Sequence, residues 1–175
     1  MHFHATEIDG NYVVELECFT DERGFFARTY CASEFAELGL ESMTAQSSVS
    51  FNKSAGTLRG LHFQEEPHGE AKLVRVTQGA IFDVCLDLRV DSPTYRKWSG
   101  VELSAKNRKS FYIPQGCAHG FITVVDETEV SYQISQEYES AAASGVRWDD
   151  PAFDIQWPRS VAVISDRDRN FSLVD

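Results

Sequence analysis

Ala80-Ile-Phe-Asp-Val-Cys-Leu-Asp-Leu88 splits cleanly into two faces when read at the two-residue period of a strand. Phe82, Val84, Leu86 and Leu88 make one face, which must be buried. Ile81, Asp83, Cys85 and Asp87 make the other. Two carboxylates on that second face mean that it either lines a wet lumen or meets solvent, and this strand alone is compatible with both. Outward from it lie further β-prone runs at 12–17, 25–30, 47–51, 58–63, 71–77, 101–103, 110–113, 119–124 and 129–134. Gly56, Gly69, Gly79, Pro93 and Gly116 separate them. One short helix is predicted, with Ser33 as N-cap, Glu34 in the first turn, Phe35 and Leu38 inward and Gly39 as the stop. So many short strands at close spacing predict an all-β antiparallel sandwich or barrel.

Bulk properties narrow the class. A chain of 175 residues, 42% apolar and 25% charged, suits one folded domain over residues 1–175 with a sizeable core. The net charge of −11 is spread along the chain, repels a nucleic-acid backbone and leaves no basic face to track one. A few cations gathered in one pocket can still bind a diphosphate. The N-terminal residues lack a signal-peptide pattern, and no apolar run reaches membrane-spanning length, so the expectation is a cytoplasmic protein with no membrane partner. Cys18, Cys31, Cys85 and Cys117 are widely spaced and read as reduced core residues.

Chemistry concentrates in three segments. In Gly56-Thr-Leu-Arg-Gly-Leu-His-Phe-Gln64, Arg59 and His62 stand three apart, which sends them to opposite faces unless Gly60 bulges the strand. In the next run Lys72 and Val74 share one face, with Leu73 and Arg75 on the other. His119 follows the Pro114-x-Gly116 turn of residues 112–121. A single His of this kind is more often structural than catalytic, whereas His, Lys and Arg together inside a strand-rich barrel favour a functional site. The spacing of Pro114, Gly116 and His119 matches half of the cupin pattern, the small jelly-roll barrel. Metal-binding cupins add a His-x-His pair, which Gln64 breaks here. His62, His68, Glu70 and His119 are the remaining candidate ligands, and His68 lies in a Pro/Gly loop, so no metal is expected. No Gly-rich dinucleotide fingerprint is present either, so no cofactor is expected.

Ordered motifs run from nearly end to end of the chain. They are Asp21-Glu-Arg-Gly-Phe-Phe26, Leu58-Arg-Gly-Leu-His-Phe-Gln64, Lys72-Leu-Val-Arg-Val76, Gly79-Ala-Ile-Phe-Asp-Val84, Asp87-Leu-Arg-Val-Asp-Ser-Pro-Thr94, Ile113-Pro-Gln-Gly-Cys-Ala-His-Gly-Phe121, Trp148-Asp-Asp-Pro151 and Ile164-Ser-Asp-Arg-Asp168. In these the chain resembles the dTDP-4-dehydrorhamnose 3,5-epimerase family. The resemblance implies a cupin-type jelly-roll barrel with short peripheral helices and a homodimer. It also implies a cofactor-independent isomerase that inverts carbons flanking the C4 ketone of a nucleotide-diphosphate sugar. It puts the catalytic base at His62, hydrogen-bonded to Asp168, the opposite-face acid at Tyr132, and a cation near the C4 oxygen at Lys72. Arg23, Arg59 and His119 match positions on the diphosphate or sugar, and Asp83 a carboxylate supporting His119. Tyr138 matches an aromatic stacked on the base, and Arg28, Gln46, Ser48 and Arg167 join the substrate-binding set.

Departures from the pattern cluster around the nucleotide. Arg28 stands where the family commonly has Glu, Ser48 replaces an Asn, and Ala143 lies where a further Glu is often found. An arginine offers only donors, so Arg28 predicts tolerance of a base richer in acceptors than thymine, such as cytosine. Two other readings remain open in the sequence: a sugar-nucleotide ketoisomerase, which moves the carbonyl, and a non-catalytic sugar-binding barrel.

Overall fold

The computed structural model describes residues 1–174; Asp175, the last residue of the expected domain, lies outside them. The chain runs β1 (His2–Ala5), β2 (Tyr12–Glu15), β3 (Cys18–Asp21), β4 (Gly24–Ala27), α1 (Ala32–Glu37), β5 (Gln46–Asn52) and β6 (Leu58–Gln64). It continues through β7 (Lys72–Gln78), β8 (Ala80–Asp87), β9 (Trp98–Ser104), β10 (Ser110–Ile113), β11 (Cys117–Thr123), β12 (Thr128–Ile134), β13 (Ala143–Gly145) and α2 (Asp166–Arg169). Two antiparallel sheets form a jelly-roll barrel. One has the order β1-β2-β10-β7-β12-β5, the other β13-β6-β11-β8-β9, and β3 and β4 make a separate hairpin.

Both sheets send alternate apolar residues inward. Val74, Val76, Phe111, Ile113 and Val130 from the first meet Ile81, Cys85, Leu103, Cys117 and Phe121 from the second, and all are buried. The outer face of the five-stranded sheet is covered too, by Val146, Phe153, Ile155 and Trp157 of the C-terminal segment packed on Leu61, Val84, Leu86 and Ala118. That cover settles the two faces of β8. Ile81, Asp83, Cys85 and Asp87 are fully buried, so the carboxylate face looks into the barrel and not to solvent.

α1 packs on the outer face of the six-stranded sheet through Phe35, which lies against Val14, Leu73 and Tyr112. Burying such a phenyl ring contributes roughly 1.5–3 kcal/mol. The helix differs from expectation at both ends. Cys31 is its N-cap without a side-chain cap bond, so Ser33 is already helical, and Leu38 is the C-cap and 45% exposed. Gly39 does stop the helix, at φ +70°. The four cysteines are free, but only Cys85 and Cys117 are core; Cys18 is exposed and Cys31 half-buried. The run expected at 25–30 ends at Ala27, and that at 12–17 ends at Glu15, with the hairpin starting only at Cys18. β1, β13 and α2 carry no strong periodicity and escape a sequence reading. The one available signal for α2 was Ser165-x-x-Asp168, a capping pattern: Ser165 Oγ accepts the Asp168 backbone N–H at 3.1 Å.

Candidate active site

A cavity of about 700 Å³ opens between the two sheets, a size suited to a small-molecule ligand. Its floor depends on a bulge in β6. His62 pairs with His119 and Arg59 with Phe121, so three steps on β6 match two on β11. The extra residue resets the alternation and turns both Arg59 and His62 into the cavity. Gly60 makes this possible. It sits at φ +127°, and a Cβ there would lie 2.5 Å from the Gly120 Cα.

His62 lines the wall with its ring partly open to the cavity, and its Nε2 lies 2.7 Å from Asp168 Oδ1. Asp168 is held from three sides. Its second oxygen accepts the Gly60 N–H at 3.1 Å, and its own N–H is tied to Ser165. Burial pushes the Asp168 carboxyl up, but the bonds from His62, Gly60 and Ser165 outweigh it, so its pKa is net lowered and it stays a carboxylate. An imidazole that gives its Nε2–H to this carboxylate keeps a lone pair on Nδ1, the arrangement of a general base.

His119 repeats the motif on the neighbouring strand, its Nε2 2.7 Å from Asp83 Oδ1. Here burial dominates and raises the Asp83 pKa, against the opposing pull of His119 and Lys72. Asp83 stands behind His119 and does not itself border the cavity. Tyr132, on β12 of the other sheet, packs edge-on to the His119 ring with centroids 6.2 Å apart. Its hydroxyl lies 3.2 Å from Ser50 Oγ. Burial raises the Tyr132 pKa well above that of a free phenol, and the nearby Asp83 adds to this, so the group is kept protonated. Lys72 Nζ is 2.8 Å from Glu70 Oε1 and donates to the His62 carbonyl at 3.2 Å.

Farther out, Arg59 Nε donates to Asn52 Oδ1 at 2.8 Å, and Arg167 stacks over Phe171. Gln46 Oε1 accepts the Tyr138 N–H at 2.9 Å, with Ser48 beside them on the lining. A chain of net charge −11 thus gathers Arg59, Lys72 and Arg167 around one cavity. Arg23 and Arg28 do not border it. Arg23 pairs with Asp21 in the hairpin, and Arg28 lies 3.4 Å from Glu34 of α1; both side chains are largely exposed. Of the candidate metal ligands, His62, Glu70 and His119 line the cavity and His68 does not. Among the described residues no three His, Cys, Asp or Glu side chains converge as a ligand set. Sequence reasoning missed Ser50 and Ser165, and gave Glu70 no part except as a candidate metal ligand. Glu70 sits in a loop without periodicity.

Comparison with known proteins shows the family. The family profile described as dTDP-4-dehydrorhamnose 3,5-epimerase matches residues 5–175. A dTDP-4-dehydrorhamnose 3,5-epimerase of Methanothermobacter thermautotrophicus is 47% identical over 173 residues, covering 97% of this chain and 92% of that protein. The crystal structure of the enzyme of that name from Elizabethkingia anophelis superposes with a TM-score of 0.96 at 37% identity, over 99% of this chain and 96% of the other. That from Bacillus anthracis, solved with TDP and PPi bound, gives 0.94 at 41% identity and covers 99% of both chains. A profile match over residues 5–175 and relatives that cover nearly the whole chain at 37–47% identity have one meaning: the chain belongs to the dTDP-4-dehydrorhamnose 3,5-epimerase family.

Proposed function

We propose that the protein inverts one or both carbons flanking the C4 ketone of a dTDP-linked 4-keto-6-deoxyhexose, through an enolate and without metal or nicotinamide. The observation that carries this reading is that a base and an acid stand on opposite sheets. His62 belongs to the five-stranded sheet and Tyr132 to the six-stranded one, and both line the same cavity. Inversion requires a proton to leave one face of the sugar and another to arrive at the opposite face. His62 Nδ1 takes the proton alpha to the ketone, and the C–H electrons move onto the C4 oxygen. Lys72 meets the charge developing there; removing one such preorganised group typically costs ~3–4 kcal/mol. Tyr132 Oη delivers a proton to the carbanion carbon from the other side and regains one from solvent. Asp168 stabilises the imidazolium that His62 becomes.

Arg59 and Arg167 suit the diphosphate, and Tyr138 and Gln46, at the half-open end, suit the base. The ligands named for the Bacillus anthracis structure support a thymidine nucleotide in this role. We further read the protein as one cytoplasmic domain acting as a homodimer. No helix among the described residues is long and apolar enough to cross a membrane. β5 is an unpaired sheet edge whose Val49 and Phe51 are exposed, as are Phe19 and Phe26 of the hairpin. An edge of that kind invites a second copy.

The test is turnover of dTDP-4-keto-6-deoxyglucose in heavy water. Deuterium at C3 or C5 with inverted configuration is expected. A product with the carbonyl moved would mean ketoisomerisation, and no exchange would mean a binding barrel.

A further inference from the structure

Glu70 precedes β7 in the loop that enters the barrel, and its side chain borders the cavity beside Lys72. The two charges are 2.8 Å apart, with side chains 10% and 9% exposed. Lys72 Nζ has a second partner in the His62 carbonyl of β6, at 3.2 Å. An ammonium carries three donors. The wall takes two of them, which leaves one N–H for whatever enters the cavity.

We propose that Glu70 is a positioning residue: it pins the Lys72 ammonium against β6, so that its one uncommitted N–H meets the ketone oxygen. The proposal rests on the epimerase reading for the identity of that oxygen. Its physical basis is independent of it. A four-carbon stem without a second anchor samples many rotamers, and a fixed counter-charge removes most of them. The other titratable groups on the cavity are His62 and Arg59 of β6, His119 of β11, Tyr132 of β12, Tyr138 beyond it, and Arg167 and Asp168 of α2, with Asp83 of β8 behind His119. Of the carboxylates, Asp168 is engaged by His62 and Asp83 by His119, and Glu70 is the one within ion-pair distance of Lys72. In the empty site the pair is close to neutral and adds little to ground-state attraction. Once the oxygen becomes an enolate, a donor already fixed in place meets it without reorganisation.

Glu70→Gln keeps the shape and an acceptor oxygen but removes the charge. The expected result is a fall in kcat of about tenfold or more with KM within about threefold, the signature of an interaction made in the transition state. Glu70→Asp, which restores the charge on a shorter stem, should recover part of that loss. A second readout does not involve the reaction. Modification of Lys72 by trinitrobenzenesulfonate at neutral pH, followed by peptide mass spectrometry, should be several-fold faster in Glu70→Gln, because a freed amine is the nucleophile. Wild-type protein that fails to exchange deuterium would sink the epimerase reading while the labelling still decides the ion pair. Wild-type kcat, or unchanged Lys72 labelling, would overturn the proposal. Should Glu70→Gln fail to fold, Glu70→Asp must show the same split in milder form, and wild-type behaviour there overturns it equally.

Discussion

His62 and His119 face each other as register partners on β6 and β11, and each gives its Nε2 to a different buried carboxylate. The two pairs are not equivalent. Asp168 is held as a carboxylate by three bonds, whereas burial raises the Asp83 pKa and leaves one of its oxygens without a partner. His62 also has the more open ring. This asymmetry supports the proposed assignment of the base role to His62. His62→Ala should abolish exchange of the substrate's alpha protons, a loss of roughly 10²–10⁴-fold, while affinity stays within about tenfold. Asp168→Asn should be slow as well. Exchange at the wild-type rate in the His62 variant would remove it from the mechanism.

Tyr132→Phe should separate the two halves of the reaction. The ring packs against the core and His119, so the phenylalanine fits the same space and loses only the hydroxyl bonded to Ser50. The variant should still wash an alpha proton into heavy water but yield little inverted product. An equal loss of exchange and inversion would reduce Tyr132 to a residue that orients the sugar.

The β6 bulge can be tested by comparing two glycines of nearly equal backbone angle. Gly60 and Gly24 sit at φ +127° and +128°, but a Cβ on Gly60 meets the Gly120 Cα at 2.5 Å while one on Gly24 meets nothing within 4 Å. Gly24→Ala should cost about 1–3 kcal/mol of strain. Gly60→Ala should exceed it by ~2 kcal/mol or more, because the added methyl must also push two strands apart. Urea denaturation of both variants measures the difference. Equal costs would mean that β11 yields freely.

This bulge also marks where the sequence stops being legible. Alternation puts Arg59 and His62 on opposite faces unless Gly60 bulges the strand, and only pairing with β11, about sixty residues away, decides that it does. The polar face of β8 was ambiguous for a similar reason: what covers the other face is the remote segment around Phe153 and Trp157. Motifs did point to His62, Asp168, Lys72 and Tyr132, which line one cavity. They also pointed to Arg23 and Arg28, whose nearest anions are Asp21 and Glu34 outside it. Motif matching carries residue identities but not which side of a wall they reach. Leu38 was misread because a helix of six residues has no room for a second inward turn.

Asp87 predicts the acid limb of stability. It is fully buried and accepts from Arg89 Nε and Nη2 at 2.9 and 2.8 Å, and from the Ser92 and Thr94 hydroxyls. Burial pushes its carboxyl up, but these donors together hold it far below the usual carboxylate range. A carboxyl whose pKa is depressed in the native state stabilises above the unfolded value of about 3.9 and loses that contribution as pH falls below it. Asp87→Ala leaves Arg89, Ser92 and Thr94 without their acceptor and should cost about 3–5 kcal/mol at pH 7. The gap between variant and wild type should narrow toward about pH 2. Denaturation at both pH values checks this, and a gap independent of pH would assign the loss to packing alone.

Base preference separates Ser48 from Arg28. The guanidinium of Arg28 is occupied by Glu34 and borders no part of this chain's cavity, whereas Ser48 lines it next to Gln46 and Tyr138. A hydroxyl there gives one donor and a short reach; an asparagine adds an amide donor and a carbonyl acceptor at greater length. Ser48→Asn should therefore change the ratio of kcat/KM for dTDP- and CDP-linked 4-keto-6-deoxyglucose by about tenfold, the worth of one hydrogen bond of ~1.4 kcal/mol at a base edge. Arg28→Ala should leave the ratio within about threefold, since an exposed ion pair of this kind is worth little more than its own few tenths of a kcal/mol. Kinetics of the two variants on both nucleotides decide the matter. A ratio that follows Arg28 and ignores Ser48 would mean that Arg28 reads the base in the cavity of a second copy, and the homodimer would then be part of the site itself.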